Sequence, residues 1–426
     1  MWQTDSSLRT LQQLNPAEPQ ILHIDLNSCF ATVEQQARPL LRGRPLAITN
    51  RLTVNACCVA VSYEAKARGL KVGMRLSDAK VLIPDLITLE TDPPKYHYAY
   101  QKLVSIMRSY SPNISMKSID EGIIDFNGTR EVNKRSLEAI GHEIKGRLKE
   151  EVGSWMKCNI GIAPNRFLAK TAAGLHKPDG MDIIDHTNLR SVLSTLELTD
   201  LTGIAERNQA RLNAAGIYTP LQFLDSPPEL LHHRVFKSVC GEDWHQRLRG
   251  WEVDDHEWGT KTIGRQFVMD DYHAPEEKVR GRLAHLCEST GLKLRYKGYA
   301  ARGLSVYIRY KSGDSWHSRK AFNSPFFTNQ EIYRRATLLF NEHPRHDYVV
   351  MLAVSCYLLE PSTANQMSIL EEVNKEVDLT EAVDEVNRRF GNYTITFASS
   401  AGAKDHIKQK IPFGSTRYFE LLVQQA

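Results

Sequence analysis

The sequence predicts an α+β protein of several domains, and three observations lead to this prediction. With 426 residues, the chain is too long for one ordinary hydrophobic core and should form roughly three or four domains. Two apolar, strand-like runs, residues 21–27 and 118–126, carry acids at positions typical of a sheet edge. Residues 259–361 follow the order strand, helix, strand, strand, helix, strand, which is the split βαβ or ferredoxin-like arrangement.

The composition excludes several classes of protein. Hydrophobic residues make up 42% and charged residues 24% of the chain, which is typical of a soluble globular protein. No segment approaches the roughly 18 consecutive apolar residues that span a bilayer, and the N-terminus lacks the apolar core of a secretory signal. We therefore expect a cytoplasmic protein without a membrane partner. The seven cysteines show no CxxC spacing, so neither a disulfide framework nor a zinc site is predicted.

Three carboxylates in the two apolar runs are the strongest candidates for chemistry. Asp25 lies in the first run, and Asp120 and Glu121 lie in the second. Ionised carboxylates near a buried sheet edge are costly unless they are paired or bind a cation, and their oxygens suit Mg²⁺ together with substrate phosphates. Two such ions about 3.5–4 Å apart would clamp both oxygens of a phosphoryl transfer. A solvated turn at Asp120-Glu121-Gly122 and a simple strand end at Asp25 remain the alternative.

The positive charge of the chain is concentrated in one segment. Within the net charge of +4, residues 1–258 hold 31 Lys+Arg against 31 Asp+Glu, residues 259–361 hold 16 against 10, and residues 362–426 hold 7 against 9. Such a local positive excess is typical of a surface that binds a polyanion, although surface lysines also serve solubility. We therefore predict that residues 259–361 bind nucleic acid.

The basic segment has its own internal pattern. Its predicted elements are strands at 263–269, 302–310, 316–322 and 348–359 and helices after Pro275 and at 329–340. In its second strand, three apolar side chains alternate with three more polar ones, Leu304, Val306 and Ile308 against Ser305, Tyr307 and Arg309. One face of this strand is therefore apolar, and the other would lie along a phosphate backbone or simply face solvent.

Two further stretches place cations where a phosphate could bind. Tyr63 and Lys66 are three apart on a predicted helical turn, so they share a face that could hold a triphosphate. An ordinary surface helix is the alternative for that turn. Residues 165–180 predict a helix that ends in Lys-Pro-Asp-Gly, which fixes Lys177 at a turn.

Four segments resemble, in order, the motifs of one protein family. They are residues 25–34 (DLNSCFATVE), 62–66 (SYEAK), 118–121 (SIDE) and 161–180 (GIAPNRFLAK through KPDG). Four matches with similar spacing are specific, whereas one alone would be weak. They resemble the Y-family of DNA polymerases, the translesion enzymes that include the DinB (DNA polymerase IV) and UmuC branches. The resemblance implies template-directed DNA synthesis of low fidelity in DNA repair, the SOS response and mutagenesis.

The resemblance implies a right-hand polymerase with palm, fingers, thumb and little finger. The expected domains are an N-terminal leader (1–20), a palm (21–30 and 91–185), fingers (31–90), a thumb (186–258), a little finger (259–361) and a C-terminal tail (362–426). The thumb of this family contains a helix-hairpin-helix. Residues 201–216 match that feature, because they predict two short helices around a glycine turn with Gly216 as a C-cap. The βαββαβ segment would be the little finger.

The resemblance also implies roles for individual residues. Asp25, Asp120 and Glu121 resemble the metal-binding acids, and the backbone carbonyl of Leu26 is a further expected ligand of two Mg²⁺ ions. Phe30 occupies the position of the steric gate, a ring that excludes the 2′-hydroxyl of a ribonucleotide, although core packing would also explain it. The residues expected to bind the triphosphate of the deoxynucleotide are Tyr63, Lys66 and Lys177. The expected contacts to primer and template DNA are Lys170, Arg302 and Arg309.

Some positions differ from the commonest family pattern. Asn27 and Lys66 look more like the UmuC branch, because the DinB branch usually has an aspartate and an arginine there. Lysine loses the bidentate phosphate contact of arginine, which Arg68 could supply. Cys29 is small where an aromatic residue is frequent, which would open the pocket, and Ala205 replaces a second glycine expected in the thumb hairpin. The choice between the two branches stays open.

The tail contains a candidate binding peptide and a predicted helix. Residues 366–370 resemble the peptide with which bacterial polymerases bind the sliding clamp, and its expected anchors are Gln366, Met367, Ile369 and Leu370. An amphipathic helix follows at 379–390, and its apolar stripe comprises Leu379, Ala382, Val383, Val386 and Phe390. Core packing or contact with a partner is the expected role of that stripe.

Two other functions are alternatives on sequence grounds. A Y-like adaptor that binds DNA and the clamp without synthesis would have lost its acids, whereas all three are present. A palm-based nucleotide cyclase would not need the basic segment at 259–361. The sequence does not indicate which lesion is bypassed, which nucleotide is inserted, whether accessory subunits are required, or what residues 1–20 do.

Overall fold

The computed structural model describes residues 13–129, 135–256, 259–269, 271–344, 347–362, 371–391 and 393–401. The described chain forms two compact units, one from Gln13 to His256 and the other from Gly259 to Ala401. Both units combine helices with sheets, which confirms the predicted α+β class. Among the described residues, no helix is long and apolar enough to cross a membrane.

Helices and short strands alternate in the first unit. Its strands are β1 (Ile21–Leu26), β2 (Leu46–Thr49), β3 (Cys58–Val61), β4 (Ile87–Glu90), β5 (Ile114–Met116), β6 (Glu121–Asp125), β7 (Cys158–Ala163) and β8 (Met181–Ile183). Its α-helices are α1 (Cys29–Ala37), α2 (Tyr63–Ala67), α3 (Leu76–Leu82), α4 (Pro93–Arg108), α5 (Leu137–Glu151), α6 (Arg166–Leu175), α7 (Leu189–Ser194), α8 (Glu206–Ala214), α9 (Pro220–Asp225), α10 (Pro228–Leu230) and α11 (Cys240–Leu248). The remaining helical segments are 3₁₀ turns at Pro39–Leu41 and Leu198–Asp200 and a π-helix at Leu231–Phe236.

A five-stranded sheet in the order β5-β6-β1-β7-β8 is the centre of the first unit. Strand β1 pairs antiparallel with β6 on one side and with β7 on the other. Because successive side chains of a strand point to opposite faces, Leu22, Ile24 and Leu26 join a core formed with α4 and α5. His23 and Asp25 point to the opposite face, where α6 packs against the sheet.

Gly161 on β7 allows α6 to lie directly on the sheet. A Cβ atom at this position would come within 1.9 Å of the Ala169 carbonyl oxygen and 2.3 Å of the Ala173 nitrogen, both backbone atoms of α6. Because backbone atoms of a helix do not move aside singly, only glycine permits this close approach. Since α6 carries Lys170, the contact also sets the height of that side chain above the sheet.

Two smaller substructures complete the first unit. Strands β2, β3 and β4 form a sheet in the order β3-β2-β4, and the chain passes from β3 into α2. The Ser62 hydroxyl caps α2 by accepting a hydrogen bond from the Ala65 N–H at 3.3 Å, which fixes the start of the predicted helical turn. Helices α7 to α11 form the second substructure. It contains the predicted glycine turn, with Gly203 at φ 96°, and Gly216 follows α8 at φ 84°.

The second unit has the predicted βαββαβ order. Its elements are β9 (Thr262–Val268), α12 (Glu276–Tyr296), β10 (Tyr299–Tyr310), β11 (Ser315–Phe326), α13 (Asn329–Phe340) and β12 (Val349–Pro361), followed by α14 (Glu371–Phe390) and α15 (Ala398–Ala401). The sheet order β11-β10-β12-β9 is antiparallel throughout, and each helical connection passes one intervening strand, so the split arrangement is confirmed. Strands β10 and β11 are longer than predicted, because their pairing continues to Ala301 and Phe326.

The predicted tail helix is present as α14, but the two ends of its apolar stripe are exposed. Leu379 and Phe390 are 61% and 65% exposed. The side that contacts the rest of the second unit includes polar residues: Thr380 is buried, and Asp384 accepts hydrogen bonds from Arg295 at 2.6 and 2.8 Å. Leu379 and Phe390 therefore do not pack in a core, and contact with a partner stays the prediction for them; the described helix instead makes ion-pair contacts through Asp384.

We expect Gly161→Ala to destabilise the first unit by about 1–3 kcal/mol, the usual range for an overpacked interior. Urea unfolding followed by circular dichroism measures the change. Gly146→Ala on α5 is the matched control, because nothing lies within 4 Å of its added Cβ and alanine favours a helix by about 0.5–1 kcal/mol. Equal stabilities of the two variants would contradict the close contact between α6 and β7.

Candidate active site

Asp25, Asp120 and Glu121 meet at one end of the central sheet. Asp25 on β1 lies opposite Glu121, the first residue of β6, in the antiparallel register. The N–H of Leu26 donates to the carbonyl oxygen of Asp120 at 2.8 Å. Pairing of the two strands therefore brings together three acids that are far apart in the sequence, and it places the Leu26 backbone beside them.

Glu121 is held by two basic side chains. Lys170 Nζ donates to its two carboxylate oxygens at 2.9 and 2.8 Å, and His23 Nε2 lies 3.3 Å from Oε2. Burial alone would raise the pKa of Glu121, but the contacts with His23 and Lys170 outweigh burial and lower the pKa to about 2. Glu121 is therefore ionised at any physiological pH.

Asp120 has a different environment. Burial raises the pKa of its carboxyl group. A hydrogen bond from the Ser118 hydroxyl lowers this pKa, whereas the negative charges of Asp25 and Glu121 raise it further. Within the described parts of the chain, no lysine or arginine forms an ion pair with Asp120. A cation placed among the acids would relieve both the burial cost and the repulsion.

Asp25 is paired with Lys177. Lys177 Nζ donates to Asp25 Oδ2 at 2.5 Å, and Lys177 lies in the turn that follows α6. One helix and its following turn therefore supply the cations for two of the acids, Lys170 for Glu121 and Lys177 for Asp25. Both pairs are partly exposed, with the two lysine side chains each 35% accessible, so substrate and ions have access to them.

The donor set fits a magnesium site, although it is not arranged as a closed cage. In the portions of the chain that are described, no group of three His, Cys, Asp or Glu side chains is positioned to hold a metal ion. Lys170 and Lys177 form hydrogen bonds with carboxylate oxygens of Glu121 and Asp25, which a metal ion would need as ligands. Three carboxylates, one of them partly buried and without a lysine or arginine partner among the described residues, nonetheless provide the hard oxygen ligands and the negative charge that suit Mg²⁺.

The side chains predicted to bind a triphosphate lie around the same point. Lys66 Nζ is 4.5 Å from the centre of the Tyr63 ring. Burial lowers the pKa of Lys66, and the positive charge of Lys177 lowers it further, whereas Asp25 raises it. Burial also raises the pKa of the Tyr63 hydroxyl, and the charge of Asp25 adds to that effect. The charge of Asp25 therefore acts on Tyr63 and Lys66, and Lys177 pairs with Asp25 directly.

Phe30 belongs to a stacked aromatic pair between α1 and α4. Its ring is nearly parallel to that of Tyr96, with the ring centres 4.3 Å apart and an angle of 11° between the planes. Tyr96 is buried, and its hydroxyl donates to Glu34 Oε1 at 3.2 Å. Lys95 donates to the other oxygen of that buried carboxylate, also at 3.2 Å. Phe30 itself is half-buried, so core packing accounts for part of its surface only.

Cys29 connects this pair to the acids. It precedes Phe30 on α1 and is buried. Burial raises the pKa of its thiol, and the nearby charges of Asp120 and Asp25 raise it further. The thiol is therefore protonated and unreactive, and it occupies less space than the aromatic ring that is frequent at this position.

The residues predicted to contact DNA fall into two groups. Lys170 lies over Glu121, so its ammonium group contacts an acid of the site. Arg302 and Arg309 are exposed on β10 of the second unit. The pairing of β10 with β11 is irregular beside Arg302, between Ala301 and Gly303. The clamp-binding peptide predicted at 366–370 lies outside the described residues.

Three residues of the site were missed on sequence grounds. His23 lies two residues before Asp25, so strand alternation puts both on one face, and this signal was available. Ser118 stands inside a recognised motif, but its hydrogen bond to Asp120 follows from the tight turn between β5 and β6. Tyr96 lies on the apolar stripe of α4, which predicts burial. Nothing in the sequence identifies Phe30 as the ring on which it stacks.

Known proteins with similar sequences identify the family. The sequence pattern of the impB/mucB/samB family matches residues 24–174, and that of its C-terminal domain matches residues 260–369. DNA polymerase IV of Moorella thermoacetica is 32% identical over 389 residues, which cover 89% of this chain and 96% of that protein. DNA polymerase IV 1 of Bacillus subtilis is 28% identical over 88% of this chain and 91% of its own.

Solved structures agree on the fold. A Y-family DNA polymerase chimera of Dbh and Dpo4 matches with a TM-score of 0.68 at 21% identity, over 80% of this chain and 98% of that one. An insertion ternary complex of Dbh DNA polymerase gives a TM-score of 0.53 at 22% identity, over 79% and 98% of the two chains. Y-family polymerases are metal-dependent, which agrees with the acids described above. This chain therefore belongs to the impB/mucB/samB family, the Y-family of DNA polymerases, and is a DNA-directed DNA polymerase of the translesion type.

Proposed function

We propose that this polymerase binds two Mg²⁺ ions with Asp25, Asp120, Glu121 and the backbone carbonyl of Leu26, and extends primers at this site. The observation that carries the proposal is the pairing of β1 with β6, which gathers the three acids, while partly buried Asp120 pairs with no lysine or arginine among the described residues. Bound Mg²⁺ would supply charge neutralisation and a more acidic primer hydroxyl. The substrates are primer–template DNA and deoxynucleotides.

The surrounding side chains provide a place for the incoming nucleotide. Tyr63, Lys66 and Lys177 would bind its triphosphate and stabilise the negative charge that develops on the leaving pyrophosphate. Lys177 would exchange its present partner, Asp25, for a phosphate oxygen. Phe30 would lie beneath the sugar and exclude a 2′-hydroxyl. The stacking of Phe30 on buried Tyr96 supports this role. A ring that is held in one orientation clashes with a 2′-hydroxyl, whereas a freely rotating ring could turn away from it.

The rest of the chain would hold and position the DNA. We assign the five-stranded sheet to the palm, the three-stranded sheet to the fingers, α7 to α11 to the thumb and the βαββαβ unit to the little finger. Arg302 and Arg309, exposed on β10, would bind the phosphate backbone, and Lys170 would reach it once a metal ion binds Glu121. Because chromosomal DNA is the substrate and the relatives are bacterial, we also propose a cytoplasmic location.

Asp120→Asn should reduce primer extension by roughly 10³-fold or more, because a site built to stabilise charge loses one of its charged ligands. The assay extends a labelled primer with Mg²⁺ and four deoxynucleotides on undamaged and abasic templates. DNA binding, measured by fluorescence anisotropy, should be unchanged.

Asp125→Asn is the matched control for this experiment, since Asp125 ends β6, the strand that begins directly after Asp120, but pairs with Arg166 at 3.1 Å. It should keep its extension activity. Activity retained by Asp120→Asn would exclude the acids from catalysis. DNA binding without extension by the unaltered protein would favour a catalytically silent adaptor instead.

Phe30→Val should lower the preference for deoxynucleotides over ribonucleotides by roughly 10–200-fold, the range that one steric contact in a pocket provides. Single-nucleotide insertion with dCTP and CTP opposite a template guanine gives the ratio. Phe30→Tyr, which keeps the ring, should preserve the preference. An unchanged ratio in Phe30→Val would assign Phe30 to core packing alone.

We also propose that the tail binds a bacterial sliding clamp through Gln366, Met367, Ile369 and Leu370. A glutamine anchor followed by apolar side chains suits a hydrophobic groove. Gln366→Ala with Leu370→Ala should weaken binding to an immobilised clamp at least tenfold in surface plasmon resonance, whereas Ser368→Ala should not. If both variants bind the clamp equally well, the proposal is contradicted. Binding sites for accessory subunits would then be sought outside residues 366–370.

A further inference from the structure

Asn27, two residues after Asp25, is buried. Its side-chain amide donates one hydrogen bond and accepts another. It is 2% exposed. Its amide Nδ2 donates to Asn159 Oδ1 at 2.9 Å, and its Oδ1 accepts from the backbone N–H of Asp179 at 2.8 Å. The amide therefore links the end of β1 both to β7 and to the turn that follows α6.

Asn159 holds the same turn from the other side. It is fully buried on β7. Its Nδ2 donates to the carbonyl oxygen of His176 at 2.9 Å, and its Oδ1 also accepts from the Gly180 N–H at 3.3 Å. The two asparagines thus bind the backbone at the beginning, the middle and the end of residues 176–180.

The turn held in this way carries Lys177. Pairing of Lys177 Nζ with Asp25 at 2.5 Å places the cation next to an acid on the strand whose end carries Asn27. The same strand end therefore supplies a carboxylate directly and positions a cation through the backbone of a distant turn. An amide suits this place because it both donates and accepts, whereas a carboxylate only accepts.

We propose that Asn27 and Asn159 form a positioning pair that holds Lys177 at the distance from Asp25 at which it binds the nucleotide triphosphate. Neither asparagine touches the nucleotide; both act through the turn. The inference rests on the proposed function, because it requires that Lys177 bind the triphosphate. An aspartate at position 27 would turn a carboxylate toward Asn159 Oδ1, and the repulsion between the two oxygens would release the turn.

A double-mutant cycle tests this inference. Steady-state insertion at saturating Mg²⁺ gives KM for the deoxynucleotide and kcat for the unaltered protein, Asn27→Asp, Lys177→Ala and the double variant. Asn27→Asp should raise KM roughly tenfold, the effect of losing one buried hydrogen bond, and change kcat less. In the Lys177→Ala background, the same substitution should raise KM no further, because its effect passes through Lys177.

A second variant approaches the turn from the other side. Asn159→Ser removes the hydrogen bond to His176 without adding a charge near the acids, so its effect does not depend on altered metal binding. The KM of Asn159→Ser for the deoxynucleotide should rise about as much as that of Asn27→Asp. In the Lys177→Ala background, Asn159→Ser should not raise KM. Thermal unfolding of each variant verifies that the protein used is folded, and Asn159→Ser replaces Asn27→Asp if that variant does not fold.

Asn165→Asp is the matched control. Asn165 is also buried, and its Nδ2 donates to the carbonyl oxygens of Arg247 and Trp251 at 2.8 Å, away from the turn. This substitution should lower the unfolding temperature and leave KM unchanged. If Asn27→Asp raises KM equally with and without Lys177, the positioning role is overturned and the proposed function stands. If Lys177→Ala itself leaves KM unchanged, Lys177 does not bind the triphosphate, so the positioning role and that part of the proposed function are both overturned.

Discussion

The first unit brings three carboxylates together at one end of its central sheet, and their mutual repulsion has to be compensated. The rest of this unit depends on that constraint. Pairing of β1 with β6 puts Asp25 and Glu121 opposite each other, with Asp120 beside them. Glu121 is neutralised by Lys170 and lies close to His23, and Asp25 is neutralised by Lys177. Of the three acids, only Asp120, which is partly buried, forms no ion pair with a lysine or arginine of the described structure. That remaining charge is what a divalent cation would bind most favourably.

Helix α6 and the turn after it provide both lysines, so the geometry of one element controls the electrostatics of the site. The absence of a side chain at Gly161 lets the helix lie on the sheet. Asn27 and Asn159 then hold the turn at its other end. Packing and hydrogen bonding thus set the distances between charges before any substrate binds, which is the preorganisation that phosphoryl transfer requires.

The parts of this architecture that could be predicted from sequence are those encoded locally. The βαββαβ order followed from alternating side chains, turn residues and helix caps, and the structure confirmed it. Contacts between distant segments could not be predicted in the same way. Lys170 was predicted to contact DNA, and nothing in the sequence indicated that it also pairs with Glu121. The stripe of α14 was expected to pack in a core or to contact a partner; Leu379 is exposed, and Asp384 on the same helix pairs with Arg295. Amphipathic spacing identifies a helix but does not choose between an apolar and an ionic contact.

The sequence by itself determined the family, the elements and the three acids, because motif order, strand alternation and turn chemistry are properties of short segments. Only the tertiary structure decided which side chains meet: Asp25 with Lys177, Tyr96 with Phe30, Asn27 with Asn159. Each of these contacts joins segments that are brought together by strand register or by helix packing. The alternation of side chains along β1 determines which face is apolar, but which residues of β6 and β7 lie opposite each residue of β1 is decided only when the distant strands pair.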